Sequence, residues 1–184
     1  MLKKIFITSL ILFTLVWCWE DSLWVSTGLK TTNTEDITID LPSNWKIIKE
    51  KDDILPKVKN WKIELAVMSE KLINWFSNNI LILSDDLSKT TTSKEFSMLN
   101  NIWAQSDYLD YTNLGSKEIK FADEDVSMLY IFEAKYNLDT PKLKFIQTAH
   151  ICNMNKAYFL TLAIPTTVKD TTKYEYLLST FKCK

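Results

Sequence analysis

The chain has 184 residues, of which 46% are apolar and 12% aromatic, enough for one domain with a hydrophobic core. Its net charge of −1 leaves no basic excess to hold the phosphates of a nucleic acid. All 22 basic residues are lysines, so a bidentate guanidinium site is excluded as well. We therefore expect no nucleic-acid partner.

The N-terminus has the pattern of a secretory leader. Lys3 and Lys4 precede a mainly apolar run from Ile5 to Trp17. This run is shorter than the roughly 20 residues that a bilayer-spanning helix needs. We predict a signal peptide over residues 1–17, with a retained N-terminal helix as the alternative.

The leader ends in LVWCW, which resembles the lipobox of bacterial lipoproteins. Leu15, Val16 and Cys18 match that motif, whereas Trp17 stands where the motif has a small residue. The resemblance implies that Cys18 carries acyl chains such as palmitate and becomes the mature N-terminus. Residues 18–34 would then be a polar tether on the extracytoplasmic face of the cell membrane. A secreted protein that is not lipidated at Cys18 is the alternative.

Three cysteines are an odd number for an exported protein. If Cys18 carries lipid, Cys152 and Cys183 remain as a pair in an oxidising compartment. We expect a disulfide between them that ties the C-terminal segment to the sheet, with two buried free thiols as the alternative.

Glycine and tryptophan have unusual frequencies, with two glycines and seven tryptophans. Several tryptophans stand where glycine is expected, as in the Asn60-Trp61 and Asn74-Trp75 pairs, because Asn-Gly is the strongest short turn signal. One hypothesis is that the source reads UGA as glycine and that this translation reads it as tryptophan. The alternative is that all seven are genuine. The candidates are Trp17, Trp19, Trp24, Trp61, Trp75 and Trp103.

Residues 35–184 have the pattern of a single α+β domain. Alternating or continuous apolar residues predict strands, and two Thr-x-x-Glu patterns predict helices with capping boxes. Phe96, Leu99 and Ile102 lie on one helical face, which predicts that the first helix extends to about Ser106. The predicted strands are Ile37–Leu41, Lys46–Ile48, Ile63–Met68, Asn79–Leu83, Tyr108–Phe121, Val126–Tyr136, Lys142–Cys152 and Ala157–Ile164; the predicted helices begin at Thr92 and Thr172.

Short connections between successive strands favour antiparallel pairing. Leu143, Phe145, Ala149 and Ile151 alternate with Ile146 and Cys152, so this strand needs cover on both faces. We therefore predict an antiparallel β-sheet flanked by helices.

This arrangement resembles the PsbP-like fold, an α/β/α sandwich found in photosystem II extrinsic proteins, Ran-binding Mog proteins and many bacterial lipoproteins. The segments that carry the resemblance are ITIDLPSNW (Ile37–Trp45), FSNNILIL (Phe76–Leu83), AYFLTLAIP (Ala157–Pro165) and YEYLLSTFK (Tyr174–Lys182). It implies a binding or assembly role without catalysis and brings no active site.

The sequence holds no catalytic signature. His150 is the single histidine, no G-x-S-x-G or phosphate-binding loop is present, and His150 is expected to be a hydrogen-bonded strand residue. Acidic residues cluster at Asp52-Asp53, Asp85-Asp86 and Asp123-Glu124-Asp125 without EF-hand spacing. We expect no catalytic residue, metal site or cofactor.

The predicted function is a membrane-anchored, extracytoplasmic lipoprotein that binds or assembles an envelope protein or ligand, itself unidentified. A cell-envelope hydrolase with dispersed carboxylates is a second hypothesis, and a non-lipidated interaction protein is a third. Aromatic side chains that prove exposed together would mark the binding surface. The candidates are Tyr108, Tyr111, Tyr130, Phe132, Tyr136 and Tyr158.

Overall fold

The structure is a computed structural model that describes residues 28–49, 55, 58 and 60–184. The predicted signal peptide, Cys18, Trp17, Trp19 and Trp24 lie outside the described residues. Within them the elements in chain order are β1 (Leu29–Asn33), β2 (Ile37–Pro42), β3 (Trp45–Ile47), β4 (Lys62–Ile73), β5 (Phe76–Asp86), α1 (Ser93–Asp107), β6 (Leu109–Lys120), β7 (Val126–Lys135), β8 (Leu143–Cys152), β9 (Lys156–Pro165), α2 (Thr172–Ser179) and β10 (Lys182–Cys183).

The strands form two antiparallel sheets. The main sheet has seven strands in the order β3-β4-β5-β9-β8-β7-β6, and the small sheet has the order β1-β2-β10. In the centre of the main sheet, Ala163 of β9 pairs with Phe145 of β8 on one side and with Asn79 of β5 on the other. Paired residues point to the same face of a sheet, so these three side chains share one face. Every strand predicted from the sequence is present, but β4 and β5 are longer than predicted. They extend to the turn at Asn74 and Trp75, where Ile63–Met68 and Asn79–Leu83 were expected.

The two faces of the main sheet are covered differently. On the closed face, Leu160, Leu162 and Ile164 of β9 pack in the main core with residues of β2 and α2. Burial of each such side chain contributes about 1.5–3 kcal/mol. On the other face, α1 packs against β7 and β8, which leaves β4, β5 and β9 partly uncovered; we call this the open face. The α+β class is confirmed. Helices alone were expected to cover the closed face, whereas the structure covers it with the small sheet and α2 together.

The polar tether was expected to extend to residue 34, but Leu29–Asn33 form β1. This strand pairs with β2 in continuous antiparallel register from Leu29–Pro42 to Asn33–Thr38. Its exposed, polar character is typical of an edge strand, which gains its backbone hydrogen bonds from a neighbour rather than from a pattern of buried side chains. The folded domain therefore includes residues that lack strand periodicity.

The capping box at the start of α1 is confirmed, whereas the three apolar residues that share one helical face are not buried together. The Thr92 hydroxyl accepts from the Glu95 amide, and the Glu95 carboxylate accepts from the Thr92 amide. The helix buries Phe96 together with small and polar residues, and it leaves Leu99 and Ile102 about half exposed. The polar residues are buried because they form hydrogen bonds: the Ser97 hydroxyl donates to the Met128 carbonyl at 2.6 Å.

The second capping box, predicted at Thr172, is absent. The residue before α2 is Thr171, which has helical backbone angles (φ −100°, ψ −5°) and makes no side-chain cap. Its hydroxyl donates instead to the Glu175 carboxylate, while the Asp170 carboxylate accepts from the Thr172 amide. A capping hydroxyl needs an extended backbone to reach back to the helix, and this residue does not have one.

The hairpin between β4 and β5 turns through Asn74 and Trp75, which have φ angles of 49° and 63°. Two consecutive left-handed residues are typical of the type I′ turn, which favours Asn-Gly. Trp75 is 95% exposed, as the glycine hypothesis requires. Trp61 packs instead between Phe96 and Phe159, and Trp103 lies within α1. Of the described candidates, only position 75 has a backbone that favours glycine.

Trp45 is the one described tryptophan that does not belong to the glycine candidates. It is half-buried at the start of β3 and packs against the main core. Its side chain therefore lies at the edge of the core rather than in its interior.

Candidate binding surface

An apolar groove of about 500 Å³ lies on the open face beside α1. Its floor comes from β4, β5, β8 and β9, and residues from the connections after β3 and β7 add to its walls. The lining residues are Ile48, Leu55, Ala66, Met68, Phe76, Ser77, Asn79, Ile80, Leu81, Tyr108, Tyr136, Thr140, Leu143, Phe145, Thr161 and Ala163. Most of them are apolar, which is typical of a surface that binds apolar groups.

An aromatic cluster forms the end of the groove next to α1. The ring of Tyr108 lies 4.9 Å from Phe145, 5.5 Å from Phe132 and 6.2 Å from Tyr136, measured between centroids. Edge and tilted contacts of this kind hold the rings in fixed orientations. Burial raises the pKa of Tyr108 to about 12, so its hydroxyl stays protonated and can donate a hydrogen bond into the groove.

A buried amide lies directly beneath this cluster. The Gln147 side chain is 3% exposed, and its Nε2 donates to the Thr161 hydroxyl at 3.0 Å and to the Tyr108 hydroxyl at 3.5 Å. Its Oε1 has no hydrogen-bond partner among the described residues. Tyr108 and Thr161 both line the groove, so the amide fixes two polar groups on an otherwise apolar surface.

The outer side of α1 carries a second apolar surface, which we call the α1 stripe. It consists of Met98, Leu99, Ile102 and Trp103, whose exposed fractions lie between 46% and 59%. Spacings of three and four residues place these side chains on one side of the helix. Since α1 packs on the open face, the α1 stripe and the groove lie on the same side of the main sheet.

The candidate aromatic residues separate into buried and accessible groups. Phe132 and Tyr158 are buried, Tyr108, Tyr111 and Tyr130 are half-buried, and Tyr136 is exposed. Tyr108 and Tyr136 come together in the groove.

Sequence patterns alone do not identify the α1 stripe, because apolar residues at helical spacing are usually interpreted as core residues. The sequence feature that could have indicated it is the set of small polar residues on the other side of the helix. Ser97 and Asn100 belong to that set, and the fold buries both of them.

The predicted cysteine pair comes together on the closed side of the molecule. Cys152 and Cys183 lie at disulfide-bonding distance, with 5.9 Å between their Cα atoms. A bond that closes a loop of this sequence separation, 31 residues, contributes about 3.7 kcal/mol. It connects the last residue of β8 to β10 and therefore joins the main sheet to the small sheet.

His150 and its neighbours surround this pair. The His150 Nε2 lies 3.0 Å from Asp123 Oδ1 and 3.6 Å from Asp125 Oδ2, and the imidazole is 2% exposed. Burial alone would raise the pKa of Asp123, but hydrogen bonds from His150 and from the Cys183 amide keep it below its ordinary value. His150 is thus a hydrogen-bonded strand residue, and the spacing of two between it and Cys152 was the signal that both share one face.

Two further residues of the acidic clusters, Asp86 and Glu124, form ion pairs with lysines. Asp86 lies 3.6 Å from the Lys156 ammonium, and the Glu124 carboxylate pairs with Lys120. Asp52 and Asp53 lie outside the described residues. Neither α1 nor α2, the two helices of the described residues, combines the length and the hydrophobicity that a bilayer-spanning helix requires.

Comparison with known proteins yields matches in structure only, since no family model and no curated protein sequence matches. The solution structure of cyanobacterial PsbP (CyanoP) from Synechocystis sp. PCC 6803 superposes with a TM-score of 0.54 at 14% sequence identity, covering 86% of this chain and 94% of that chain. This chain has the PsbP-like fold.

A second solved structure is similar over a comparable length. It is the Ran-binding protein Mog1p of Saccharomyces cerevisiae, with a TM-score of 0.48 and 9% identity over 85% of this chain and 96% of that chain. The fold assignment rests on the cyanobacterial protein, and it confirms the resemblance drawn from the core segments of the sequence. At these identities the PsbP-like fold is all that the comparison establishes.

Proposed function

We propose that this PsbP-like protein is a membrane-anchored, extracytoplasmic lipoprotein that acts as a non-catalytic binding or assembly module. The observation that carries the proposal is the open face, where an apolar groove and the α1 stripe lie on one side of the sheet. Exposed apolar surface of this kind is costly in a monomer and marks an interaction site.

The partner that suits this surface is a protein segment with apolar side chains. The groove is only partly enclosed, so it would leave part of a small molecule in water, whereas small-molecule sites cover most of their ligand. The α1 stripe extends the apolar surface beyond the groove, and Tyr136, directly after β7, is 58% exposed. Tyrosine and tryptophan at such positions are typical anchors of protein interfaces.

Binding at the groove can be measured with the uncharged apolar dye Nile red as a probe. Leu81→Lys places a charge in the groove and is expected to weaken dye binding at least about tenfold. Leu114→Lys is the matched control, because Leu114 is 49% exposed on the edge strand β6 and does not line the groove. Circular dichroism confirms that both variants fold. Equal dye binding by both variants would contradict the assignment of the groove.

The anchor is tested separately by peptide mass spectrometry of the protein isolated from its native membrane. The expected result is a diacylated N-terminal peptide that begins at Cys18. An unmodified Cys18 behind an intact leader would contradict the anchor and would favour the non-lipidated alternative. The same spectrum reads the mass at the five candidate positions that remain in a chain beginning at Cys18, which are Trp19, Trp24, Trp61, Trp75 and Trp103.

A further inference from the structure

The immediate surroundings of Cys152 and Cys183 contain a third donor atom. The His150 Nδ1 lies 3.5 Å from Cys183 Sγ and 3.7 Å from Cys152 Sγ. The three side chains come from β8 and β10, and the donor atoms all lie within 4.8 Å of one another. Two sulfurs and an imidazole nitrogen are the donor types that zinc prefers in proteins.

These distances match those of a tetrahedral zinc site. Zinc–sulfur bonds of about 2.3 Å and zinc–nitrogen bonds of about 2.0–2.1 Å place a nitrogen and a sulfur ligand about 3.5 Å apart, and two sulfur ligands roughly 3.8 Å apart. Both nitrogen–sulfur distances are already of this size. Only the two sulfurs have to separate, and the Cα separation of 5.9 Å allows this by rotation of the cysteine side chains.

The imidazole is oriented for metal binding by its other nitrogen. The Nε2 lies 3.0 Å from Asp123 Oδ1, which leaves Nδ1 facing the two sulfurs. In the neutral tautomer that carries its hydrogen on Nε2, the lone pair of Nδ1 is free to bind a metal. Asp123 is itself fixed, because its Oδ2 accepts from the Cys183 amide at 3.1 Å. In zinc sites, a ligating histidine usually pairs its other ring nitrogen with a carboxylate or a similar acceptor, which fixes the orientation of the ring. Phe121 and Phe181 pack against the ring and hold its plane.

A route to solvent reaches the pair from one side. Cys152 forms part of the wall of a polar pocket of about 380 Å³, together with the carboxylates of Glu35, Asp36 and Asp86. Lys156 and Lys184 also line the pocket, so its wall contains both positively and negatively charged side chains. An entry path and a fixed hydrogen-bond partner for the ligating histidine are two of the requirements for a functional metal site.

We propose that reduction of the Cys152–Cys183 disulfide creates a zinc site formed by both thiolates and His150 Nδ1, with Asp123 as the positioning residue. A dithiol or phosphine supplies two electrons, the sulfur–sulfur bond breaks, and each sulfur takes up one proton. Zinc then displaces both protons and binds two thiolates and the neutral imidazole. The fourth position is left to water or to another donor. The disulfide and the zinc site are therefore alternative states of one cluster.

Zinc binding by the full chain in detergent, with and without tris(2-carboxyethyl)phosphine, tests this proposal. The phosphine becomes the phosphine oxide by taking oxygen from water, and it competes little for zinc. Reduced protein is expected to bind one zinc per chain, and oxidised protein to bind at least about a hundredfold more weakly. Cobalt in place of zinc should give the thiolate-to-metal absorption of a site with two sulfur ligands.

Variants separate ligands from the positioning residue. His150→Gln and the double variant Cys152→Ser/Cys183→Ser are expected to lose stoichiometric binding, and Asp123→Asn to lower affinity about 10–100-fold with the cobalt spectrum retained. Cys18→Ser is the control for the third cysteine and should bind zinc as the unaltered chain does. Circular dichroism follows the fold in every sample.

The proposal is overturned if reduced protein binds zinc no more tightly than the double variant, or if Cys18→Ser abolishes binding. It is also overturned if the reduced chain unfolds and zinc does not restore its circular dichroism spectrum.

Discussion

Asn78 and Tyr174 are joined by a hydrogen bond across the closed face of the sheet. The Asn78 Nδ2 donates to the Tyr174 hydroxyl at 2.8 Å, and both residues are buried, with exposed fractions of 3% and 1%. This bond links the start of β5 to α2. The Asn78 Oδ1 has no hydrogen-bond partner among the described residues. The bond to Tyr174 is therefore important for stabilising this buried side-chain amide.

Tyr174→Phe is therefore expected to destabilise the domain. The change leaves the Asn78 amide buried without its acceptor, and a buried donor without a partner costs about 1–3 kcal/mol. Urea denaturation measures the free energy of unfolding. Tyr176→Phe is the control on the same helix, because Tyr176 is 57% exposed and should change stability by less than about 0.5 kcal/mol. Equal effects of the two changes would contradict the structural role of the bond.

Glu64 is expected to make stability depend on pH. Burial would raise the pKa of this carboxyl, but the Ser84 hydroxyl at 2.7 Å and the Lys62 ammonium at 3.0 Å hold it below its ordinary value. A carboxyl whose pKa is lowered by folding stabilises the native state above its unfolded pKa of about 4.3. That contribution is lost as the pH falls through the lower, folded value.

The measurement is the unfolding free energy from pH 6 down to pH 3, for the unaltered chain and for Glu64→Gln. The variant should show a shallower loss of stability with acid. Ser84→Ala, which removes one of the two stabilising contacts, should give an intermediate slope. A slope that is unchanged in Glu64→Gln would assign the acid sensitivity to other carboxyls.

Trp75→Gly is expected to stabilise the protein. A residue with a β-carbon at a φ of 63° costs about 1 kcal/mol relative to glycine, and the exposed indole contributes little packing in return. Trp103→Gly is the opposite case, because position 103 lies inside α1 and glycine there costs about 0.5–1 kcal/mol. Thermal unfolding of both variants tests the pair. A loss of stability in Trp75→Gly would remove the conformational argument for glycine at that position.

The strands and the capping box of α1 could be predicted because they depend on local chemistry. Alternation along β8 follows from the pleat, and Thr92 with Glu95 satisfies amides one turn away. The orientation of α1 could not be predicted, because its buried side contains Ser97, which is stabilised by a hydrogen bond to Met128 on a distant strand. Such a partner is visible only in the folded chain.

The same limit applies to the binding surface and to the cysteine cluster. The α1 stripe exists because the polar side of the helix is buried, which reverses the expectation from hydrophobicity alone. Cys152 and Cys183 could be paired by counting cysteines, whereas the position of Asp123 behind His150 depends on how the turn after β6 meets β8. Both features require contacts between residues that are distant in sequence.

The most direct test of the proposed function is site-specific photo-crosslinking in the native envelope. Benzoylphenylalanine is placed at Ile102 in the α1 stripe or at Tyr176 on α2, two helix positions that are 59% and 57% exposed but lie on opposite sides of the main sheet. We predict a discrete crosslinked protein at position 102 and none at position 176. The same crosslinking pattern at both positions, or crosslinks at 176 alone, would contradict the assignment of the open face as the binding surface.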